Sequence, residues 1–349
     1  MNSIEASTTR ALLHDLATRG HRVPIGAHLV LHEHPDHQQI QLDGDRLGQV
    51  IAEAAGRYQS PLAMPLMDLA IEKDCLLRTL GVPEAQIESY HFAAPPPVLK
   101  SFETTPKMVA ACAAIREVGR QPGLLPMGMS IGPFSLMTKL VADPITPVFL
   151  AGTGFGSDDE AEIAVVERAI EVGTELILNY VAMQAKAGAR AIIVCEPAAN
   201  LVYFSPNQLE NGYEVFDRYV MNPMRRIQKE IERHGAELVF HDCGELTPGM
   251  VSRFAQLDTA MVSLGCSRIL WEDADLFPKS TVLYGNLPTK RFYAPQLTVA
   301  EVDRIATDLA ERMQATGHPF ILGSECDVLS VPGKERELAE KVQALLGQR

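Results

Sequence analysis

The sequence predicts an α/β protein of the (β/α)8 TIM barrel class. It is expected to form a single domain over residues 1–349, with residues 1–20 as an N-terminal helical extension. Short apolar runs alternate with amphipathic stretches, the order typical of parallel strands joined by helices. About eight such runs occur without a glycine-rich dinucleotide fingerprint. A closed barrel is therefore favoured over a doubly wound open sheet.

The strands and helices follow each other along the chain in that order. The strands are predicted at "HRVPIGAHL", "YQSPLAMPLMDL", "ARAIIVCEP", "AELVFHDC", "AMVSLGC", "STVLYGNL" and "PFILGSEC", and "LPMGMSIGPFSLMTKL" (125–140) is predicted to be a strand that leads into a helix. The clearest helices are predicted at 160–188, 213–235, 247–258, 298–317 and 333–348. Gly188 is a natural helix stop, and Thr247 and Thr298 are natural N-caps.

Composition and charge exclude several classes of function. The formal charge of −13 argues against a nucleic-acid or anionic membrane partner, because both need a basic surface. No apolar run approaches the roughly 20 residues that span a bilayer, and the N-terminus lacks the apolar core of a signal peptide. We therefore expect a soluble, cytoplasmic protein. In such a reducing compartment the six cysteines are core residues, reactive thiols or metal ligands.

The segment "VFHDCGEL" carries the strongest chemical signal. Residues i and i+2 of an extended segment point the same way, so His241 and Cys243 can reach one ion while Asp242 faces elsewhere. Cys326 ends a later strand of the same barrel and would be a third ligand, leaving one position of a tetrahedral Zn²⁺ open. The alternative is a partly buried histidine bonded to a backbone carbonyl, with two inert thiols.

The sequence also resembles the uroporphyrinogen decarboxylase superfamily. The resemblance covers roughly residues 60–349 and rests on the H-x-C…C spacing, "LNYVAMQAKAGARAIIVCEPAANLVYFSP", "IGPFSL", "VLYGNL" and "LGSEC…VPG". It is closest to the zinc-dependent, corrinoid-linked branch, which includes methylcobamide:coenzyme M methyltransferases and O-demethylases. The resemblance implies His241, Cys243 and Cys326 as zinc ligands.

Two departures from the family pattern bear on function. The decarboxylases carry an "R-x-x-G-R" motif near the N-terminus, whereas this chain has "RVPIGAHLVLHEH" and no such arginines. In a related barrel, a glutamate on the strand after H-x-C is the fourth zinc ligand. Cys266 stands at about that place, as a fourth ligand or a spare core thiol. Glu325 is expected to point away from the site.

The resemblance also indicates residues beyond the ligands. Glu196 and Asp68 are candidate catalytic groups, with a structural hydrogen bond and a helix N-cap as the respective alternatives. The candidate substrate-binding residues are Asn200, Tyr203, Met129 and Asn286, for which core packing or a turn is the alternative. The histidine-rich "HLVLHEHPDH" (28–37) is predicted to be a solvated loop rather than a second metal site.

The expected activity is a zinc-dependent transfer of a methyl group between a corrinoid and a small methoxylated or thiol compound. The chain has no "D-x-H-x-x-G" corrinoid motif, so the cobalamin is expected to arrive free or on a partner corrinoid protein. The alternative is a lyase of the uroporphyrinogen decarboxylase type that acts without a metal.

Overall fold

The fold is seen in a computed structural model that describes residues 8–210 and 212–347. Eight parallel strands form one sheet in the order β1-β8-β7-β6-β5-β4-β3-β2, a nearly closed barrel surrounded by helices. The strands are β1 Arg22–Val23, β2 Leu62–Ala63, β3 Leu125–Ile131, β4 Ala191–Cys195, β5 Glu237–Asp242, β6 Met261–Leu264, β7 Val282–Leu287 and β8 Phe320–Ser324. The prediction of a (β/α)8 barrel is confirmed.

The helices of the first half lie mostly between β1 and β4. They are α1 Thr9–Thr18, α2 Ala27–Leu31, α3 His37–Ile40, α4 Gly44–Arg57, α5 Ile71–Thr79, α6 Glu84–Ile87, α7 Pro106–Gly119, α8 Pro133–Leu140, α9 Ile145–Gly152 and α10 Ala161–Lys186. The later helices are α11 Pro206–Glu210, α12 Glu214–Phe216, α13 Asn222–Arg233, α14 Pro248–Phe254, α15 Leu270–Asp273, α16 Val299–Thr316 and α17 Glu335–Leu346. No helix among the described residues is long and apolar enough to cross a membrane.

The N-terminal extension closes one end of the barrel. Leu13 and Leu16 of α1 are buried in the cluster that fills the barrel interior. Arg10 of the same helix pairs with Glu237 at the start of β5, 2.9 Å away, and with Asp258 before β6. Because these partners lie at the amino ends of the strands, α1 covers that end and leaves the carboxyl end open. Residues 1–7 of the predicted extension lie outside the described residues.

Several predicted boundaries differ from the structure, mainly in the first strands. β1 is only two residues long because Pro24, which has no N–H to donate, follows it. The histidine-rich segment 28–37 was predicted to be a loop, but α2 includes its first four residues and α3 begins at its last. The predicted helix 213–235 is divided into α12, a π-helical turn at Asp217–Met221, and α13. The predicted N-caps Thr247 and Thr298 are confirmed, since each accepts a backbone N–H from three residues ahead.

Candidate metal centre

Three side chains with metal-binding atoms converge at the open, carboxyl end of the barrel. His241 is in β5, Cys243 follows that strand, and Cys326 follows β8. Their ligand atoms all lie within 4.8 Å of one another, and the two Sγ atoms are 3.9 Å apart. Among the described residues this is the one such group of three or more side chains. The histidine-rich segment 28–37 therefore contributes no second cluster of this kind.

The imidazole of His241 is held in one orientation. Its Nδ1 lies 2.9 Å from the Oγ of Ser263, which is its direct neighbour in the β5–β6 ladder. Its Nε2 is buried and has no hydrogen-bond partner within the described chain. A buried ring nitrogen without a partner is unfavourable unless a cation or a water satisfies it. The hydrogen bond to Ser263 thus leaves Nε2 as the atom available to a metal.

The two thiols differ strongly in acidity. The hydrogen bond between the two sulfur atoms lowers the pKa of Cys243 against the opposing effect of burial, and His241 and Lys290 lower it further. The same hydrogen bond raises the pKa of Cys326. The first thiolate of the pair therefore forms at Cys243. Thiolates are the form in which cysteine binds a metal.

Lys290 is the cation beside these thiols. Its Nζ donates to the backbone oxygen of Cys243 at 3.2 Å. Burial lowers the pKa of Lys290. This effect is outweighed by the negative groups around it, which raise the pKa above its usual value: Cys243, Glu325 and Cys326. Its positive charge is thus retained next to a site that becomes more negative as thiols ionise.

The donor set fits the predicted zinc ion. Two thiols and one imidazole nitrogen are ligands that Zn²⁺ prefers, and three protein ligands leave one position of a tetrahedron open. The Sδ of Met67, on the loop after β2, lies 3.4 Å from the Cys326 Sγ and borders the site on that side.

Cys266 is not brought into this group. It lies two residues beyond the end of β6, and its side chain is exposed. Its backbone N–H donates to the Oε2 of Glu325 at 3.1 Å. Glu325 itself is buried. Neither residue joins the three ligand atoms.

Glu196 makes structural hydrogen bonds, which were the alternative to a catalytic role for this residue. Its two carboxylate oxygens accept the backbone N–H groups of Phe134 and Ser135, at 3.1 and 2.8 Å. These are the first amides of α8, which have no partner within the helix. Burial raises the pKa of Glu196 to about 7, although Ser135 and Phe134 act in the opposite direction. The carboxyl group holds the start of α8.

The candidate substrate-binding residues outside β3 also have structural partners. Asn200 bonds within its own loop, to the backbone of Pro197 and Val202. Asn286 donates to the backbone oxygens of Gly265 and Arg268 at 2.8 and 3.0 Å, and so fixes the loop after β6. Tyr203 packs edge-on against Phe134, with ring centroids 5.8 Å apart.

Asp68 and Met129 line one small cavity of about 60 Å³ beside β2 and β3. The Oδ2 of Asp68 accepts a charged hydrogen bond from Lys107 at 2.6 Å, and its Oδ1 accepts the N–H of Ala70 just before α5. The N-cap of α5 is Ala70 and no side chain caps the helix, so Asp68 is not the N-cap that was the alternative to a catalytic role. Met129 is buried, with its Sδ 3.7 Å from the Cys195 Sγ.

Ser263, Lys290 and Met67 were not predicted from the sequence. Ser263 had a detectable signal, because it aligns with His241 once the register of two neighbouring parallel strands is drawn. Lys290 lies in a short 3-10 turn after β7 and Met67 on the loop after β2, where strand periodicity gives no direction for a side chain.

The family model for uroporphyrinogen decarboxylase (URO-D) matches residues 84–337, well over half of the chain. The protein belongs to the uroporphyrinogen decarboxylase family. The resemblance inferred from the motifs is therefore confirmed. His241, Cys243 and Cys326 all lie within the matched residues.

A solved structure of a methyltransferase from Methanosarcina mazei is similar to this chain in fold. The superposition covers 97% of each chain with a TM-score of 0.67, at 14% sequence identity. At that identity the likeness establishes the barrel architecture over nearly the whole length. No curated protein matches the sequence.

Proposed function

We propose that this family member is a zinc-dependent methyltransferase that moves a methyl group between a corrinoid and a small methoxylated or thiol compound. The observation that carries the proposal is the convergence of His241 Nε2, Cys243 Sγ and Cys326 Sγ at the catalytic end of a barrel. The similarity in fold to a methyltransferase and the motifs of the corrinoid-linked branch support it.

A zinc ion on these ligands would act as a Lewis acid on an ether oxygen, or would hold a thiol substrate as its thiolate. The residues of the chain perform the other tasks. Ser263 fixes the ring of His241, and Lys290 places a positive charge beside the thiolates. The corrinoid is a second substrate, which approaches the open end of the barrel either free or on a partner protein.

Decarboxylation of a porphyrinogen is the competing activity, because the family model bears that name. The chain lacks the arginine pair that holds the porphyrinogen carboxylates in the decarboxylases. It has instead two thiols that a metal-free decarboxylation does not use. These two observations favour methyl transfer.

Metal analysis of the purified protein tests the proposal. We expect about one zinc per chain, lost in Cys326→Ser and His241→Ala, because each variant removes one of three ligands. Cys266→Ser is the matched control and should retain zinc, since Cys266 lies outside the ligand group. A wild-type protein that folds without zinc and decarboxylates a porphyrinogen would contradict the proposal.

Turnover is the second measurement. The protein should change the visible spectrum of cob(I)alamin in the presence of methoxylated compounds, or of methylcobalamin in the presence of thiols. A protein that binds the corrinoid and leaves its spectrum unchanged with every substrate is a binding module and not a transferase.

A further inference from the structure

His28 and Asp327 form a hydrogen-bonded pair next to the metal centre. His28 is in α2, shortly after β1, and Asp327 directly follows the ligand Cys326. The Nδ1 of His28 bonds to the Oδ2 of Asp327. The two loops run side by side at the carboxyl end of the barrel, since β1 and β8 pair in parallel and Val328 N donates to Ile25 O at 2.8 Å.

The pair has the arrangement of an acid–base histidine. The side chain of Asp327 is 10% exposed and fixes one ring nitrogen, while the side chain of His28 is 23% exposed. The Nε2 of His28 has no hydrogen-bond partner among the described residues. It is also not fully buried, so it can be reached from outside. A histidine held at Nδ1 by a carboxylate presents Nε2 as its proton-transferring atom.

The charges around His28 favour the imidazolium form. Burial lowers its pKa, but the hydrogen bond and charge of Asp327, together with the charge of Asp68 on the β2 loop, outweigh burial and raise it above 6.5. Two further titratable groups lie near the pair: His32, which directly follows α2 and whose exposed ring lies 5.9 Å from that of His28, and Tyr58, which interacts with Asp327. The ring of His37 lies 4.7 Å from that of His32. A row of histidine rings therefore leads from the His28–Asp327 pair towards solvent.

We infer that His28, oriented by Asp327, is the general acid of this site, and that the substrate is therefore a methoxylated compound. The inference rests on the proposed function and narrows it. An alkoxide or phenoxide leaving group needs a proton to leave as a neutral hydroxyl compound. A thiol substrate needs no acid, because a zinc ion alone stabilises its thiolate.

In the proposed step a methyl group passes from the ether oxygen to cobalt, and a proton passes from His28 to the oxygen. The bond between the methyl carbon and the ether oxygen breaks, and its electron pair stays on the oxygen. The reduced corrinoid contributes the electron pair of the new cobalt–carbon bond, so cobalt is oxidised by two electrons. The Nε2 proton of His28 passes to the oxygen. Neutral His28 then regains a proton from solvent by way of His32 and His37.

The pH dependence of ether demethylation tests the inference. The acid must be protonated, so the wild-type rate should fall as pH rises through the pKa of His28. His28→Gln should lower the rate by roughly 10²- to 10⁴-fold and abolish this fall, with zinc content unchanged. Asp327→Asn should move the fall to lower pH. His91→Gln, which changes an exposed histidine elsewhere on the surface, is the matched control.

A measurement independent of activity accompanies the kinetics. In ¹⁵N-histidine-labelled protein, the signals that disappear in His28→Gln belong to His28, and their titration should give a pKa above 6.5 that decreases in Asp327→Asn. A lower wild-type pKa, or an unchanged rate and pH profile in His28→Gln, overturns the role of His28 and leaves the proposed function standing. Transfer to thiols but to no ether overturns the substrate class. Failure of the wild type with every substrate removes the proposed function itself.

Discussion

A single hydroxyl group decides which nitrogen of His241 is available to a metal. Ser263 Oγ bonds to Nδ1, and Nε2 is left buried and without a partner among the described atoms. Such partners of metal-binding histidines fix the ring and tune its basicity. The contribution of Ser263 can therefore be measured without altering any ligand.

Ser263→Ala should weaken zinc binding by about 10- to 100-fold, because the ring of His241 loses its orienting hydrogen bond. The dissociation constant is measured by competition with a chromophoric chelator. Ser280→Ala, at an exposed position, is the control and should bind zinc as the wild type does. An unchanged affinity in Ser263→Ala would show that packing alone orients the ring.

Glu72 of α5 is a second residue whose environment has a measurable effect. Its Oε1 accepts hydrogen bonds from Ser130 Oγ at 2.6 Å and Ile131 N at 3.2 Å, while its Oε2 is buried without a partner in the described chain. Burial raises its pKa from 4.5 to about 7, against these hydrogen bonds. A carboxyl group of this kind favours the folded state only while it is protonated.

The contribution of Glu72 to the free energy of unfolding should therefore decrease between pH 4.5 and about 7. In that window the unfolded chain releases the proton of Glu72 and the folded chain keeps it, so the decrease is on the order of 3 kcal/mol. Glu72→Gln, which mimics the protonated acid, should lack this contribution. Urea unfolding at several pH values measures the difference, with the exposed Glu162→Gln as control. If Glu72→Gln and wild type change in parallel with pH, the carboxyl group is not perturbed.

At the scale of elements, α8 depends on a side chain from another strand's loop. Helices starting at buried positions need partners for their first amides, and Pro133 at the start of α8 removes one such amide. Glu196, which follows β4, accepts the next two. The carboxyl group thus joins the loop after β4 to the helix after β3.

Glu196→Ala should lower the free energy of unfolding by about 3 kcal/mol, because two buried amides lose their acceptor. Glu196→Gln keeps one acceptor oxygen and should be less destabilised. Zinc content should stay at the wild-type level in both, as the ligands are untouched. Chemical unfolding and metal analysis decide the point. If Glu196→Gln has wild-type stability but no turnover, Glu196 acts in catalysis.

The sequence was sufficient where periodic structure positions a side chain. His241 and Cys243 share one face of the β5 extension, and Cys326 ends β8, so alternation along parallel strands brought all three to one end of the barrel. The sequence was insufficient where a loop or a tertiary contact determines the position of a side chain. The bonds from Glu196 to the first amides of α8 could not be predicted, because they depend on where that helix lies, and the His28–Asp327 pair joins two loops far apart in the chain.

At the scale of the whole molecule, backbone pairing does not extend around the full circle. The ladder runs from β1 through β8 to β2, and among the described residues no backbone hydrogen bonds join β1 to β2, which have two residues each. Side-chain contacts close this seam, among them the hydrogen bond that Tyr58 Oη donates to Gly26 O at 3.0 Å. His28 follows one of its strands, and Met67 and Asp68 follow the other.

Protection of backbone amides against exchange with D₂O follows from this pairing. Strands bonded on both sides open only with large parts of the fold, whereas segments bonded on one side open in local fluctuations. The amides of β1 and β2 should therefore exchange faster than those of β4 and β5, measured by mass spectrometry of peptic peptides. Uniform protection of all eight strands would contradict this. The strands with the least backbone pairing lie beside the candidate metal centre, so we expect this part of the barrel to deform most easily.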